Sequence, residues 1–298
     1  MNVTALIVTW NRLPQLQNTL KATLALPFQH IVVVNNASTD GTGAWLSSVS
    51  DTRLRIIHAE NNGGGSEGFF LGSQYIAKHV DTDWVVFYDD DAWPAADFLE
   101  KLEHVDTDRS AILCAKVVDC GGKLCKMNLP WIRRTASWKE NIAYLKGDTS
   151  FVASEDCTTD VISCSFVGAV VNAEILRRTY SLIHRELFIY FDDVYYGYHL
   201  HLLGYKLSYT PELVMVHDIG NRSNTQIAPW KTYYLVRNML LARQFFQENS
   251  FFTWPAILFR IMKYLLCVCK QPDRRRSILL LTKAIYDGLS NRRAPLDR

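Results

Sequence analysis

Three groups of residues in this sequence have the types and spacing for chemistry: Asp89-Asp90-Asp91, the pair Asp192-Asp193, and His217. The triplet follows Trp84-Val-Val-Phe-Tyr88, an apolar run of strand type. Alternate side chains of an extended chain share a face, so Asp89 and Asp91 are expected on one side and Asp90 on the other. Two carboxylates on one face repel unless something positive lies between them. A hard divalent cation that also bridges to phosphate oxygens would satisfy both. The competing reading is a solvated acidic loop capping the next helix. Asp192-Asp193 opens a helical stretch, where capping is the common role of aspartate and general-base work the more demanding one. His217 closes a short apolar run, where histidine is more often a packing or surface residue than a ligand.

The elements that must position these groups read as α/β. Short apolar runs alternate with helical stretches through the first hundred residues, the pattern of βαβ units feeding a mostly parallel sheet. Strands are expected at 3–8, 30–34, 54–58 and 84–88, with helices at 13–25, 42–48, 68–79 and, opened by Pro94, 95–104. Open sheets of this kind bind ligands outside the carboxyl ends of their strands, where the triplet lies. Two turns reach the same edge. In the first, Asp40 could accept from a base N–H or cap the helix that follows. In the second, Asn61-Asn62-Gly63-Gly64-Gly65 could let backbone approach a diphosphate or form a tight turn. Farther on, 112–118 reads as a strand, 120–156 as an irregular insertion with one helix, and 161–171 as a strand pair interrupted at Gly168. Helices are expected at 173–179 and 192–203, two strands at 206–209 and 213–217, and helix from Pro229 onward.

The 298 residues suffice for one large α/β domain or a domain with an appended module, and 48% hydrophobic with 21% charged is an ordinary globular composition. A net charge of +2 argues against a general polyanion binder, so no nucleic acid partner is expected. The seven cysteines form no disulfide framework. Cys114, Cys120 and Cys125 lack a second Cys/His pair at finger spacing, so reduced thiols are expected rather than zinc. The first ten residues have no basic n-region, and the apolar stretch 251–269 is interrupted by Pro255, Arg260 and Lys263. Neither a signal peptide nor a spanning helix is expected, and the chain reads as cytoplasmic.

Four segments in order over residues 1 to about 105 resemble the family-two glycosyltransferases of GT-A fold: Val8-Thr9-Trp10-Asn11-Arg12, residues 34–42, residues 62–69, and the acidic triplet. The resemblance implies a GT-A domain over 1–225, with nucleotide-sugar binding in 1–105 and acceptor and catalytic groups in 106–225, then a helical region over 226–298. It gathers Thr9, Asn11, Arg12, Asn36, Asp40, Asn62, Gly63, Gly64, Asp89 and Asp90 around the donor, with Thr9 and Asp40 near the base. It assigns Asp89 to ribose or metal, Asp91 to the metal and His217 to its completion, with Mn²⁺ or Mg²⁺ as the ion. Residues 188–199 are similar to the aspartate-pair motif of galactofuranosyl- and rhamnosyl-transferases, which makes Asp193 the base and Asp192 an acceptor contact beside it. Tyr195 stands where that family often has an acidic residue. In such an inverting transfer the base takes a proton from the acceptor hydroxyl while the sugar carbon develops oxocarbenium character. The implied acceptor is a growing O-antigen-type surface polysaccharide or polyprenyl-linked glycan. UDP-galactofuranose is the first donor, on the form of residues 62–69, with dTDP-rhamnose close behind.

In the helical region Trp230 could stack on an acceptor sugar and Arg237 bind phosphate, with Asn238 beside them, although packing explains the neighbouring Tyr233 and Tyr234 equally well. Residues 251–266, followed by Lys270 and Arg274-Arg275-Arg276, mix apolar and basic types. They fit either a helix at the surface of an anionic membrane, a peripheral contact at its inner face, or a packing or oligomer helix. Two rival functions are weaker. Nucleotidyl transfer predicts a glycine-rich loop with arginine and lysine near the N-terminus, and residues 6–17 offer only Arg12. A non-catalytic glycan-binding protein on a transferase scaffold should have lost at least one of Asp91, Asp193 and His217.

Overall fold

The computed structural model describes residues 1–107, 110–220, 227–268 and 273–296. Its centre is a nine-stranded sheet. Strands β1 (Val3–Thr9), β2 (His30–Asn35), β3 (Leu54–His58) and β4 (Trp84–Asp89) run parallel in the order β3-β2-β1-β4, each joined to the next in sequence through a helix. Those helices are α1 (Leu13–Leu24), α2 (Thr42–Ser48) and α3 (Gly64–His79). Every residue of β1 is buried, as a parallel strand covered on both faces requires. The first half of the chain therefore folds as its alternating pattern predicts.

Past β4 the sheet is mixed rather than mostly parallel. The order continues through β8 (Ala169–Asn172), β6 (Ser110–Val118), β9 (Lys206–His217) and β5 (Ala92–Pro94), with β7 (Thr159–Val161) paired beside β9. Here β8 is antiparallel to both β4 and β6, β5 and β7 are antiparallel to β9, and only β6 and β9 are parallel. Two expectations change. Pro94 ends the short strand β5 instead of opening a helix, and α4 begins later, at Phe98 (Phe98–His104). The two strands expected at 206–209 and 213–217 are one twelve-residue strand, whose register against β6 jumps from Ala115↔Thr210 to Lys116↔Val214. Pro211 falls in that jump, where a residue without an N–H does no harm to the ladder.

One core cluster packs on the sheet face covered by α1 and α4, and a second on the face covered by α3, α6 (Ala173–Thr179) and α7 (Asp192–Leu202). A third joins α7 to α8 (Pro229–Phe246), α9 (Trp254–Val268) and α10 (Arg274–Leu289). The expected boundary near 225 and the basic Lys270 lie outside the described residues, but the helical region is packed directly on the segment that leads into α7. The insertion at 120–156 carries one α-helix, α5 (Trp138–Leu145), as expected. Among the described residues no helix is long and apolar enough to cross a membrane, and the described cysteines are free thiols.

Candidate active site

The carboxyl ends of β1 and β4 lie side by side, with Val8 opposite Asp89, so the loop after β1 covers the acidic triplet. Because β4 stops at Asp89 and the next two residues form a turn, strict alternation does not hold. Arg12 reaches both Asp90, at 3.1 Å, and Asp91, at 2.8 Å. Asp90 is tied down further: the Thr9 hydroxyl donates to its carboxylate at 2.8 Å and the Thr19 hydroxyl to its carbonyl at 2.8 Å. Thr9 and Asp90 thus brace the turn from beneath.

The antiparallel pairing of β5 with β9 sets Ala92 opposite His217, and Asp218 N–H donates to the Asp91 carbonyl. His217 Nε2 consequently faces Asp91 Oδ1 at 3.3 Å. On its other side, His217 Nδ1 lies 3.3 Å from Asn128 Oδ1, while Asn128 Nδ2 donates to Ser165 Oγ. With its amide N–H₂ engaged by Ser165, Asn128 turns its oxygen to His217 Nδ1 and so orients the ring, leaving Nε2 against the Asp91 carboxylate. An imidazole nitrogen and a carboxylate oxygen this close could both serve one divalent cation. Among the described residues no three His, Cys, Asp or Glu side chains converge closely enough to enclose a metal. Asp91 and His217 are the pair that could offer a divalent cation a partial shell, of the kind that Mg²⁺ and Mn²⁺ complete with water and phosphate oxygens, and Asp89 borders the same cavity.

Charge crowding is strong here. Burial and the neighbouring Asp91 and Asp90 push Asp89 up to about 8, and burial pushes Asp90 up to about 6 against the pull of Arg12. Asp91 goes the other way: burial opposes it, but the His217 contact and Arg12 hold it below the ordinary carboxylate range.

Asp192 and Asp193 form the first turn of α7. The helix sits close against the chain at 163–164, where a Cβ on Gly197 would come within 2.7 Å of the Cys164 nitrogen. Burial, with Asp193 adding to it, raises Asp192 to about 7, and burial raises Asp193 to about 6. The approach to the helix is strained: Phe188, Tyr190 and Phe191 have φ of 68°, 72° and 69°. What holds it is buried. Arg237 donates to the carbonyls of Glu186 and Leu187, both at 3.0 Å, and Asn238 Nδ2 lies 3.0, 2.8 and 3.1 Å from those of Leu187, Ile189 and Tyr190. From the other side Gly64, at φ +78°, abuts the Phe188 carbonyl so closely that a Cβ would stand 1.9 Å from the oxygen.

The acidic groups, Arg12, Thr9 and His217 border two adjoining cavities. The larger, about 440 Å³, is lined by Arg12, Asp89, Asp91, His217, Asp192 and Asp193, with Gly65, Asn128 and Lys231. The smaller, about 210 Å³, is lined by Thr9, Arg12, Asn36, Asn62, Gly64, Asp89, Asp90 and Trp230. The remaining sequence-expected residues line neither. Asp40, one residue before the Gly41 N-cap of α2, accepts from Thr42 N–H and Oγ1 and also takes the Leu13 N–H. Asn11 ties its loop to Ser38 and Thr39. Gly63 donates to Asn36 Oδ1. Arg237 and Asn238 are completely buried, and their donors are engaged by backbone carbonyls around the 186–190 segment. Of the other lining residues, Gly65 belongs to the turn expected near a diphosphate, and sequence reasoning misses Asn128, Ser165 and Lys231. Only Lys231, next to Trp230, carries a signal.

A parallel sheet half bearing an acidic strand end, joined to a mixed half bearing a second aspartate pair, defines a GT-A glycosyltransferase. The chain belongs to Glycosyl transferase family 2, whose profile matches residues 4–161. It is 23% identical over 302 residues to the dTDP-rhamnosyl transferase RfbF of Shigella flexneri, covering 97% of this chain and 95% of that one. Among solved structures it resembles TarS 1-349 of S. aureus (TM-score 0.53, 15% identity, 98% of this chain and 89% of that one). It also resembles the mannosyltransferase PcManGT of Pyrobaculum calidifontis in complex with GDP-Man and Mn²⁺ (TM-score 0.54, 16% identity, 97% and 75%).

Proposed function

We propose that this chain is an inverting, metal-dependent hexosyltransferase that takes its sugar from dTDP-rhamnose and passes it to a glycan acceptor, with Asp193 as the base. The observation that carries the reading is one cavity lined by Asp89, Asp91 and His217 together with Asp192 and Asp193. Asp91 and His217 would hold Mn²⁺ or Mg²⁺, which supplies charge neutralisation for the departing nucleoside diphosphate. Arg12, already beside Asp91, adds a second cation, and Asp89 borders both cavities, as a contact to ribose would require. Thr9, Asn36, Asn62 and Gly64 line the nucleotide side, and Trp230 offers a ring for sugar stacking.

In the same cavity Asp193 takes the proton from the acceptor hydroxyl as its oxygen attacks the anomeric carbon from the face opposite the leaving diphosphate. A carboxylate raised to about 6 is ionised at neutral pH yet more basic than an exposed one. Asp192, raised to about 7 by burial and Asp193, keeps a proton on part of the molecules at neutral pH and can hold the acceptor by a hydrogen bond. The near full-length likeness to a dTDP-rhamnosyl transferase favours dTDP-rhamnose over UDP-galactofuranose. The natural acceptor in this reading is a surface-polysaccharide or polyprenyl-linked glycan. Nucleotide release from dTDP-rhamnose, UDP-galactofuranose and GDP-mannose with Mn²⁺, followed by NMR of the product anomer, tests it. Release from UDP-galactofuranose alone would reverse the donor assignment, and a retained anomeric configuration would remove Asp193 as base.

A further inference from the structure

The outer face of α9 is the strongest feature outside the cleft. Trp254, Leu258, Met262, Leu265 and Leu266 recur at helical spacing, so they form one stripe, and their exposure runs from 43% at Trp254 to 69% at Leu266. Ala256, Ile257 and Val268 form its buried side. Leu145 of α5 extends the stripe, lining a shallow groove with Met262, Lys263 and Leu266. Single exposed apolar residues are ordinary, whereas a contiguous stripe marks an interaction surface.

Charge selects the partner. From Trp254 to the C-terminus the chain has ten lysines and arginines against three acidic residues, although the whole chain is only +2, so everything before Trp254 is net acidic. Lys263 on α9 and Arg274, Arg275 and Arg276 at the start of α10 are exposed. A second copy of the chain would match the apolar stripe but would set the same positive charge against itself. An anionic bilayer matches both, with hydrocarbon for the stripe and headgroups for the arginines.

We propose that α9 and α10 form a peripheral docking surface for anionic phospholipid, with α9 lying in the plane of the interface. Helix α8 packs against both and carries Trp230 and Lys231 at its start into the cleft walls, so docking would hold the cleft beside the lipid surface. This inference is independent of which sugar is transferred. It is tested by co-sedimentation of the whole chain, without donor, on phosphatidylcholine vesicles with and without phosphatidylglycerol, alongside light scattering for oligomeric state. Binding confined to the anionic vesicles and weakened by salt is expected. Joint Arg274→Ser, Arg275→Ser and Arg276→Ser should lower it roughly a hundredfold, and Leu258→Ser with Met262→Ser should abolish insertion, both variants keeping nucleotide release with a water-soluble acceptor. Equal binding to neutral vesicles, no vesicle binding, or a dimer that the Leu258 and Met262 changes dissociate would each overturn the proposal.

Discussion

Asn238→Ala separates a binding role from a structural one. The Asn238 amide has two N–H groups shared among the carbonyls of Leu187, Ile189 and Tyr190, and its oxygen accepts from Arg237 Nε at 3.0 Å. Three hydrogen bonds at roughly 1 kcal/mol each put the loss near 3 kcal/mol. Against it stand three non-glycine residues at positive φ, each costing roughly 1–2 kcal/mol. Clamp and strain are of similar size, so removing the clamp should let residues 186–191 relax and carry Asp192 and Asp193 out of line. Thermal melting should fall by roughly 5 °C or more. Turnover should fall about a hundredfold, the scale of an ångström-level misplacement. Calorimetry and steady-state kinetics read both quantities. If instead only the acceptor KM rises, with kcat and melting unchanged, Asn238 is an acceptor contact as its sequence neighbourhood suggests, and the clamp is wrong.

The other expectations are more local. Asn128→Ala should weaken Mn²⁺ binding roughly 10- to 100-fold, read by the ion's paramagnetic signal, because His217 loses the partner that orients its ring. Gly64→Ala should destabilise the fold by more than about 1 kcal/mol in urea unfolding, since the position combines positive φ with a backbone oxygen where the methyl would stand. Activity should fall as pH drops through about 6: the base must be ionised, and Asp193 has its folded-state value raised, so protons return to it at higher pH than to an exposed aspartate. A kcat/KM profile with its acid limb near 4 would contradict that.

The parallel half of the sheet is legible because its strands are continuous runs of β-branched residues, such as Ile31-Val32-Val33-Val34, and its helices are amphipathic or well stopped. The acidic triplet is legible as a site, but not as a turn, because three identical residues give no sign of where the strand ends. Pro211 splits β9 in the sequence for a good local reason, which a register jump opposite β6 cancels. Arg237 illustrates the opposite failure. Polar residues beside aromatic ones read as a binding surface, since arginine is almost never fully buried without a partner. Here the partners are carbonyls of an irregular segment about fifty residues away, and nothing in a single sequence marks a carbonyl as needing a donor. Asn128 is hidden likewise, in an insertion with no period of its own.

Asp193→Asn most directly tests the central claim, because it keeps the shape of the side chain and removes its basicity. Nucleoside diphosphate with Mn²⁺ should stabilise this variant against heat as it does the unaltered chain, while transfer in a single turnover falls by roughly 10²- to 10⁴-fold and the acid limb of the pH profile disappears. Transfer at the unaltered rate, with the limb still near 6, would contradict Asp193 as the base.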